Sequence, residues 1–413
     1  MSHTIEIQFF NTFILRSETT NTIHVEESRI KGGYNEPFVS IGPKAHLVDE
    51  NYSGTRRDNA LIYSGVYNSR TDINRTNVFS SGEPITRAVN PADGSIQKLH
   101  AEETNLNILQ ENKVSYALID KDALFTAEGG QLTASGAAVI GQIVPYQGEY
   151  GTQNPESFAV KGIRKYFVDK NRAAVLRLSR DGITEISNYG MRDWFRDNLE
   201  NIDNSFSSND KIVGIYDDHD DNYVISLQYG QAYKTLSFDD SVNGWVSFYS
   251  YNPDFGFSYN KKYYTLKENN VWLHYDQENL RNKFYGSTQP STIQFIANQE
   301  PSMAKNFLSI NYEGTNRWNM QNAYTDMASA NSINESTFTS SGDITNTFKR
   351  KENKYYSHLD FSLPITANEG TRAKVDGLEV SGIKGYYNIV TMEHKWQTPG
   401  ELYAVSHNIT KSS

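Results

Sequence analysis

The densest set of groups able to do chemistry is Asp217-Asp218-His219-Asp220-Asp221-Asn222, where hard oxygen ligands crowd closely enough to suggest a Ca²⁺ site on Asp217, Asp218, Asp220 and Asp221. The loop glycine and distal Glu of an EF-hand are missing, and strand-like runs flank the cluster instead of helices. A solvated hairpin tip between Tyr216 and Tyr223, without metal, is therefore the preferred reading. Glycoside hydrolysis asks for two positioned carboxylates, and Glu102, Glu103, Asp181 and Glu185 are candidates only because 49 acidic residues are present. No flanking motif singles out a pair, so ordinary surface acids are the better account. Nucleophile chemistry has less support. There is no G-x-S-x-G elbow and no cysteine, and the nine histidines show neither H-E-x-x-H nor another ligand spacing. The stretch Ala127-Glu128-Gly129-Gly130 lacks the G-K-[ST] of a phosphate loop, and no cofactor site is expected. Trp194, Trp245, Trp272, Trp318 and Trp396 include potential sugar platforms, although in a Tyr-rich β protein core or interface anchoring is the commoner use.

The elements that would have to hold these groups are strands. Aromatics make up 13% of the chain, with 27 Tyr and 20 Phe, and such rings suit pleated, half-buried surfaces. Asn recurs beside Gly, Asp or Ser, the chemistry of tight turns. Ile5 to Phe10 and Phe38 to Ile41 read as strands in a poorly patterned N-terminal stretch, and Ala127 to Gly141 reads as a mobile or closely packed Gly/Ala/Ser loop. In the middle, apolar runs recur with turns between them at intervals of about eight to twelve residues, the rhythm of sandwiches, barrels and propeller blades. These runs are Lys165 to Val168, Ala173 to Leu178, Ile212 to Tyr216, Tyr223 to Leu227, Thr235 to Phe238, Trp245 to Tyr249, Phe255 to Tyr259, Tyr263 to Leu266 and Val271 to His274. One amphipathic helix is expected through Met191, Trp194, Phe195, Leu199 and Ile202, with Ser187 or Asn188 as its N-cap and Asp193 in its first turn. The expected organisation is an N-terminal extension over 1–55, one β domain over 56–320, a Ser/Thr/Asn-rich loop or linker over 321–345 and a closing β segment over 346–413. No fixed-period repeat distinguishes a propeller from a barrel or a sandwich pair.

The net charge of -10 argues against affinity for phosphate backbones, which needs Lys and Arg to displace counterions. The absence of cysteine excludes disulfides and thiolate metal sites. The short apolar stretch from Phe9 to Leu15 does not form a signal segment, and no apolar run is long enough to span a bilayer.

Long phrases of the sequence resemble a tail protein of crAss-like and other short-tailed phages, the stabilisation, nozzle or muzzle family. They are Arg57 to Gly65, Leu106 to Asp120 (LNILQENKVSYALID), Ile143 to Ala159 (IVPYQGEYGTQNPESFA) and above all Gly162 to Tyr189 (GIRKYFVDKNRAAVLRLSRDGITEISNY). The resemblance extends to about Tyr312. It implies an all-β, propeller-like platform of short antiparallel strands with one amphipathic helix and β extensions. It further implies a virion tail component made in the host cytoplasm and assembled as a ring, a homohexamer, against portal-side adaptor or ring proteins and other tail proteins. Relatives carry further domains, so a shorter version, a processed piece or a fragment is compatible with it. An acidic wall would let viral DNA pass without specific binding, and loops at Gly129, Gly130 and Gly136, or at Asp217 and Asp220, would serve as the channel gate. A receptor- or glycan-binding tail protein is the alternative, and a tail-associated glycosidase the next.

Overall fold

The computed structural model describes residues 12–16, 23–27, 57–79, 85–102, 105–125, 131–205, 208–276, 281–326, 332–334, 348–359, 374–375, 378–379 and 383–411. The expected strands Ile5 to Phe10 and Phe38 to Ile41 lie outside these residues. The chain is all-β, built of small antiparallel sheets, with one α-helix among the described residues. It divides into two compact units, Met1–Phe248 and Tyr249–Ser413. That division falls inside the 56–320 span expected as one domain.

In the first unit β1 (Thr12–Arg16) pairs with β2 (Ile23–Glu27), and β3 (Ala60–Ile62) precedes a two-stranded ribbon of β4 (Tyr67–Asn68) and β5 (Ile73–Asn74). β6 (Thr86–Ala88) returns to pair with β3. Three four-stranded meanders follow, and in each of them every strand pairs with its neighbour in sequence. The first holds β7 (Ile96–Glu102), β8 (Asn105–Gln110), β9 (Val114–Phe125) and β10 (Gln131–Pro145). The second holds β11 (Ala159–Lys161), β12 (Arg164–Asp169), β13 (Ala174–Ser179) and β14 (Gly182–Glu185). The third holds β15 (Lys211–Asp217), β16 (Asn222–Tyr229), β17 (Ala232–Asp239) and β18 (Gly244–Tyr249).

The middle meander explains why Lys165-Tyr166-Phe167-Val168 reads as a continuous run. Successive strand side chains point to opposite faces, and both faces are covered. Phe167, Leu176 and Leu178 pack with Leu109 and Val114 of the first meander. Tyr166, Val168 and Val175 pack with Ile212, Tyr223 and Ile225 of the third. Burying a side chain such as Phe167 fully stabilises the fold by roughly 1.5–3 kcal/mol. Among the described residues the pairings close neither a barrel nor a ring of blades.

Two local expectations are corrected, for the helix cap and for the Gly/Ala/Ser loop. The helix, α1 (Arg192–Leu199), buries Phe195 and Leu199 against the same core, but its N-cap is Met191. Ser187 and Asn188 sit in a short 3₁₀ turn, Ile186–Asn188, where the Ser187 hydroxyl accepts from the Val175 amide at 3.2 Å. The expected loop Ala127 to Gly141 is a strand from Gln131 onward, because β9 supplies its backbone with ladder partners from Phe125 to Ser115. The polar span 321–345 contains the end of one strand, Asn319–Thr325, and a second, Ser332–Asn334, paired with each other.

In the second unit β19 (Phe255–Tyr259), β20 (Lys262–Lys267) and β21 (Asn270–Leu273) form a three-stranded meander. Its two turns, Asn260-Lys261 and Glu268-Asn269, have positive φ at both central residues, as right-handed strand twist requires of a two-residue hairpin loop. The remaining strands pair across long sequence distances. Ser291–Ala297 and Asn319–Thr325 flank Asn388–His394, and Lys305–Gly314 pairs with Leu402–Lys411. Phe307, Ile310, Tyr312, Met320, Val390 and Met392 form the core between them.

Candidate functional site

The acidic tip is a four-residue loop closing the β15–β16 hairpin, with Asp217 opposite Asn222. Its carboxylates do not converge. Asp217 is buried and caps the turn, accepting from the amides of His219 at 2.8 Å and Asp220 at 3.4 Å, an Asx-type turn closure. Asp218 and Asp221 both reach Lys161 of β11, at 2.6 and 3.2 Å. The bond from Asp218, with help from Asp221, raises the Lys161 ammonium above its ordinary range. Asp220 turns to His219, 2.7 Å away, while Tyr216 donates to the Asp221 carbonyl at 2.9 Å. Among the described residues no group of three or more His, Asp or Glu is arranged to hold a metal. Of the candidate gate positions, Gly129 and Gly130 lie outside the described residues, Gly136 lies within β10, Asp217 is spent on its turn, and Asp220 stands on the exposed side of the loop.

The carboxylates considered for hydrolysis are likewise held apart by separate partners. Glu102 accepts from Lys165 and, at 3.3 Å, from Asn107. Burial alone would raise its carboxyl, but these bonds outweigh burial and hold it below the usual range. Asp181 accepts from Ser179, and Glu185 accepts from Tyr150 at 3.0 Å and from Ser187 at 3.1 Å. Glu103 lies outside the described residues.

The acid that does gather several partners was not singled out by the sequence. Asp240, just past β17, accepts from Arg177 at 2.6 Å, Arg164 at 3.0 Å and the Tyr166 hydroxyl. It ties the middle meander to the third, and the Lys165–Glu102 pair ties the middle to the first. Burial and the Asp240 bond push the Tyr166 hydroxyl far above the ordinary tyrosine range. The signal lay in Arg164 and Arg177, two cations on strands whose other residues are buried. A shared acid seats the half-buried Arg177 and fixes the more exposed Arg164 beside it.

The tryptophans serve mainly as packing. Trp245 packs at 4.6 Å on Phe195 with its ring tilted and donates to the Ile186 carbonyl at 3.1 Å. Trp194 meets Phe195 and Phe248 edge-on, Trp318 donates to the Glu401 carbonyl at 3.2 Å, and Trp272 packs on Tyr285. Trp396 is exposed, with the Arg317 guanidinium 4.2 Å over its ring. In the second unit a cavity of about 220 Å³ is lined by Tyr249, Tyr251, His274, Phe284 and Tyr285, with Arg281 and Lys283 at its wall. His274 lies 2.7 Å from the Thr265 hydroxyl, which also accepts from Tyr285 at 2.9 Å. Burial lowers its imidazole to about 4, so it is neutral at pH 7. The first unit has a wider depression of about 570 Å³, lined by Arg87, Asn90, Gln110 and Gln142. Gln110 already donates to the carbonyls of Asn90 and Gly94. Neither space brings a nucleophile, a base and an oxyanion donor together.

No curated protein matches the chain. Two families do match. Residues 86–269 match the Crassvirus muzzle protein, and residues 279–360 match the Crassvirus muzzle protein C-terminal domain. The first match takes in the three meanders, α1 and most of the β19–β21 sheet, and the second takes in strands of the long-range pairings of the second unit. Since the two matches follow one another along well over half of the sequence, the chain belongs to the muzzle proteins of crAss-like phages.

Proposed function

We propose that this chain, a structural component of the phage tail, is a non-enzymatic subunit of a ring that lines the axial channel, retains the genome and lets DNA out on infection. The observation that carries the reading is how the charged groups are used. Lys165–Glu102, Asp240 with its two arginines, and Lys161 with Asp218 and Asp221 all fasten sheet to sheet or brace a turn, as in a wall that must bear load. Glu102, Asp181 and Glu185, the described acids considered for hydrolysis, are each held by separate partners, and an ordinary folding role accounts for their positions.

Sequential four-stranded meanders packed face to face support a propeller-like platform. A charge of -10 per subunit, repeated around a homohexamer, gives a lumen that repels phosphate and does not hold its cargo. The portal-side adaptor or ring proteins are the neighbours in this reading, and Asp220 on its braced loop is the exposed acid of the gate. An averaged image of the intact particle tests it. Density for this chain is expected as a closed ring on the tail axis, and a peripheral fibre or a single copy would overturn the channel role.

A further inference from the structure

The outer face of the β19–β21 sheet is apolar where an ordinary solvated face would be polar. Along β19 the alternation sends Phe255, Phe257 and Tyr259 to one side. Two of their cross-strand partners continue the surface, because Phe255 faces Leu266 and then Val271, and Phe257 faces Tyr264 and then Leu273, while Tyr259 faces Lys262 at the edge of the face. The rings of Phe257 and Tyr264 stack at 5.4 Å. Phe255, Tyr259 and Val271 are 59%, 72% and 62% exposed. On the opposite face Tyr263 and Thr265 are buried. At about 150–250 Å² for a whole aromatic side chain, the bare face exposes on the order of 500 Å² of apolar surface. That is at the upper end of the largest patch on a typical monomer, about 300–600 Å², and a large part of the roughly 800 Å² that each partner buries in a stable contact.

The first unit carries a second, unlike apolar patch. On one face of the β4–β5 ribbon Val66 and Ile73 are exposed beside Asn68 and Arg75, with Val66 75% exposed, while Tyr67 points to the other face and Val78 lies exposed at the base. Backbone bonds from Gly65 to the Val78 carbonyl and from Arg75 to the Val66 carbonyl hold its two arms together. Two strands alone are marginally stable in water, so apolar side chains on such a ribbon gain most from a surface to lie on. Three strands at their ordinary spacing present a face about 10 Å across, wide enough for a two-stranded ribbon.

A ring with cyclic symmetry needs two different, complementary patches on every subunit, joined head to tail. We infer that the β19–β21 face of one copy receives the Ile62 to Val78 ribbon of the next copy, and that this contact closes the ring. The inference rests on the ring reading above and names the surface that makes it.

The test uses the purified chain. Its lack of cysteine makes single-cysteine probes clean. One chain carries Phe257→Cys and a second carries Val66→Cys. A short bis-maleimide applied to the mixture is expected to join the two kinds of chain, and to join neither kind to itself. In parallel, Phe255→Ser with Val271→Thr, both at exposed positions, is expected to convert the oligomer seen by sedimentation to a monomer with an unchanged melting temperature. Rings that persist in that variant, or that form without the mixed cross-link, overturn this contact and leave the ring reading standing. A wild-type chain that stays monomeric at high micromolar concentration overturns the contact, and absence of a ring on the tail axis overturns the ring reading itself.

Discussion

At the scale of single residues, some buried ionisable groups are engaged by partners and others are held neutral. Asp240, Glu102 and Asp169 are examples of the first kind, the last accepting from the Gly151 amide at 2.9 Å and from Arg172 at 3.1 Å. His407 is the second kind. It sits between the rings of Phe295 and Phe307, at 6.0 and 5.9 Å, and neither ring nitrogen hydrogen-bonds to the protein. Burial lowers its imidazole to about 4, against 6.5 for an ordinary histidine, as it does for His274. The folded state therefore binds fewer protons than the unfolded chain between these values. The stability involved is fully present above pH 6.5 and is lost as pH falls towards 4. At about 1.4 kcal/mol per pH unit, each histidine contributes on the order of 3 kcal/mol of that loss. His407→Leu is expected to remove one proton's share of the slope and to hold or raise stability at pH 7, since an unpartnered polar group is replaced by an apolar one. Urea midpoints at pH 4.5, 5.5 and 7 measure it, and an unaltered slope would show that His407 is not held neutral.

At the scale of elements, the middle of the chain was legible and its ends were not. Phe255 to Tyr259 is a strand with the expected bounds, and the runs at Lys165, Ile212 and Tyr223 are strands extended by a residue or two. Those segments have apolar runs closed by Asn- or Asp-bearing turns, and the turn chemistry is local. Gln131 to Gly141 was misread because small residues carry little pattern, and its pairing with β9 is a tertiary fact. The same holds for Asn319–Thr325, whose polar sequence is a strand because Asn388–His394 lies beside it. In the candidate site, the acidic tip was placed correctly as a hairpin loop, but Asp240 was not singled out, because its partners Arg164 and Arg177 lie more than sixty residues away. Close approach of elements is equally invisible in sequence. Gly214 in β15 faces the short turn Pro155–Ser157, and a Cβ there would lie 1.9 Å from the Ser157 carbonyl oxygen, which also accepts from Tyr223 at 2.8 Å. The nearest atoms are the buried Ser157 backbone and the hydroxyl of the buried Tyr223 ring, neither of them the free end of a flexible side chain. Gly214→Ala is expected to cost about 3 kcal/mol or more, the upper range for overpacking, and to lower the melting temperature with no change in ring contacts. A variant as stable as the parent would mean that the turn can slide away from β15.

At the scale of the whole molecule, charge and apolar surface pull in opposite directions. Each copy carries a net charge of -10, so copies in a ring repel one another. The face offered by Phe255, Phe257 and Val271 carries charge only at its edge, on Lys262 opposite Tyr259, and its attraction comes chiefly from water removed from apolar area. Salt discriminates these terms. The Debye length falls from about 30 Å at 0.01 M to about 8 Å at 0.15 M, which screens subunit repulsion across a ring. Hydrophobic burial is not weakened by the same change. Association of the purified chain is therefore expected to tighten several-fold as sodium chloride rises from 0.01 to 0.15 M, measured by sedimentation at fixed protein concentration. If the subunits were held by ion pairs across their contact, screening would loosen the ring over the same range. The direction of the salt effect thus separates an apolar, head-to-tail seam from an electrostatic one, using the unmodified protein.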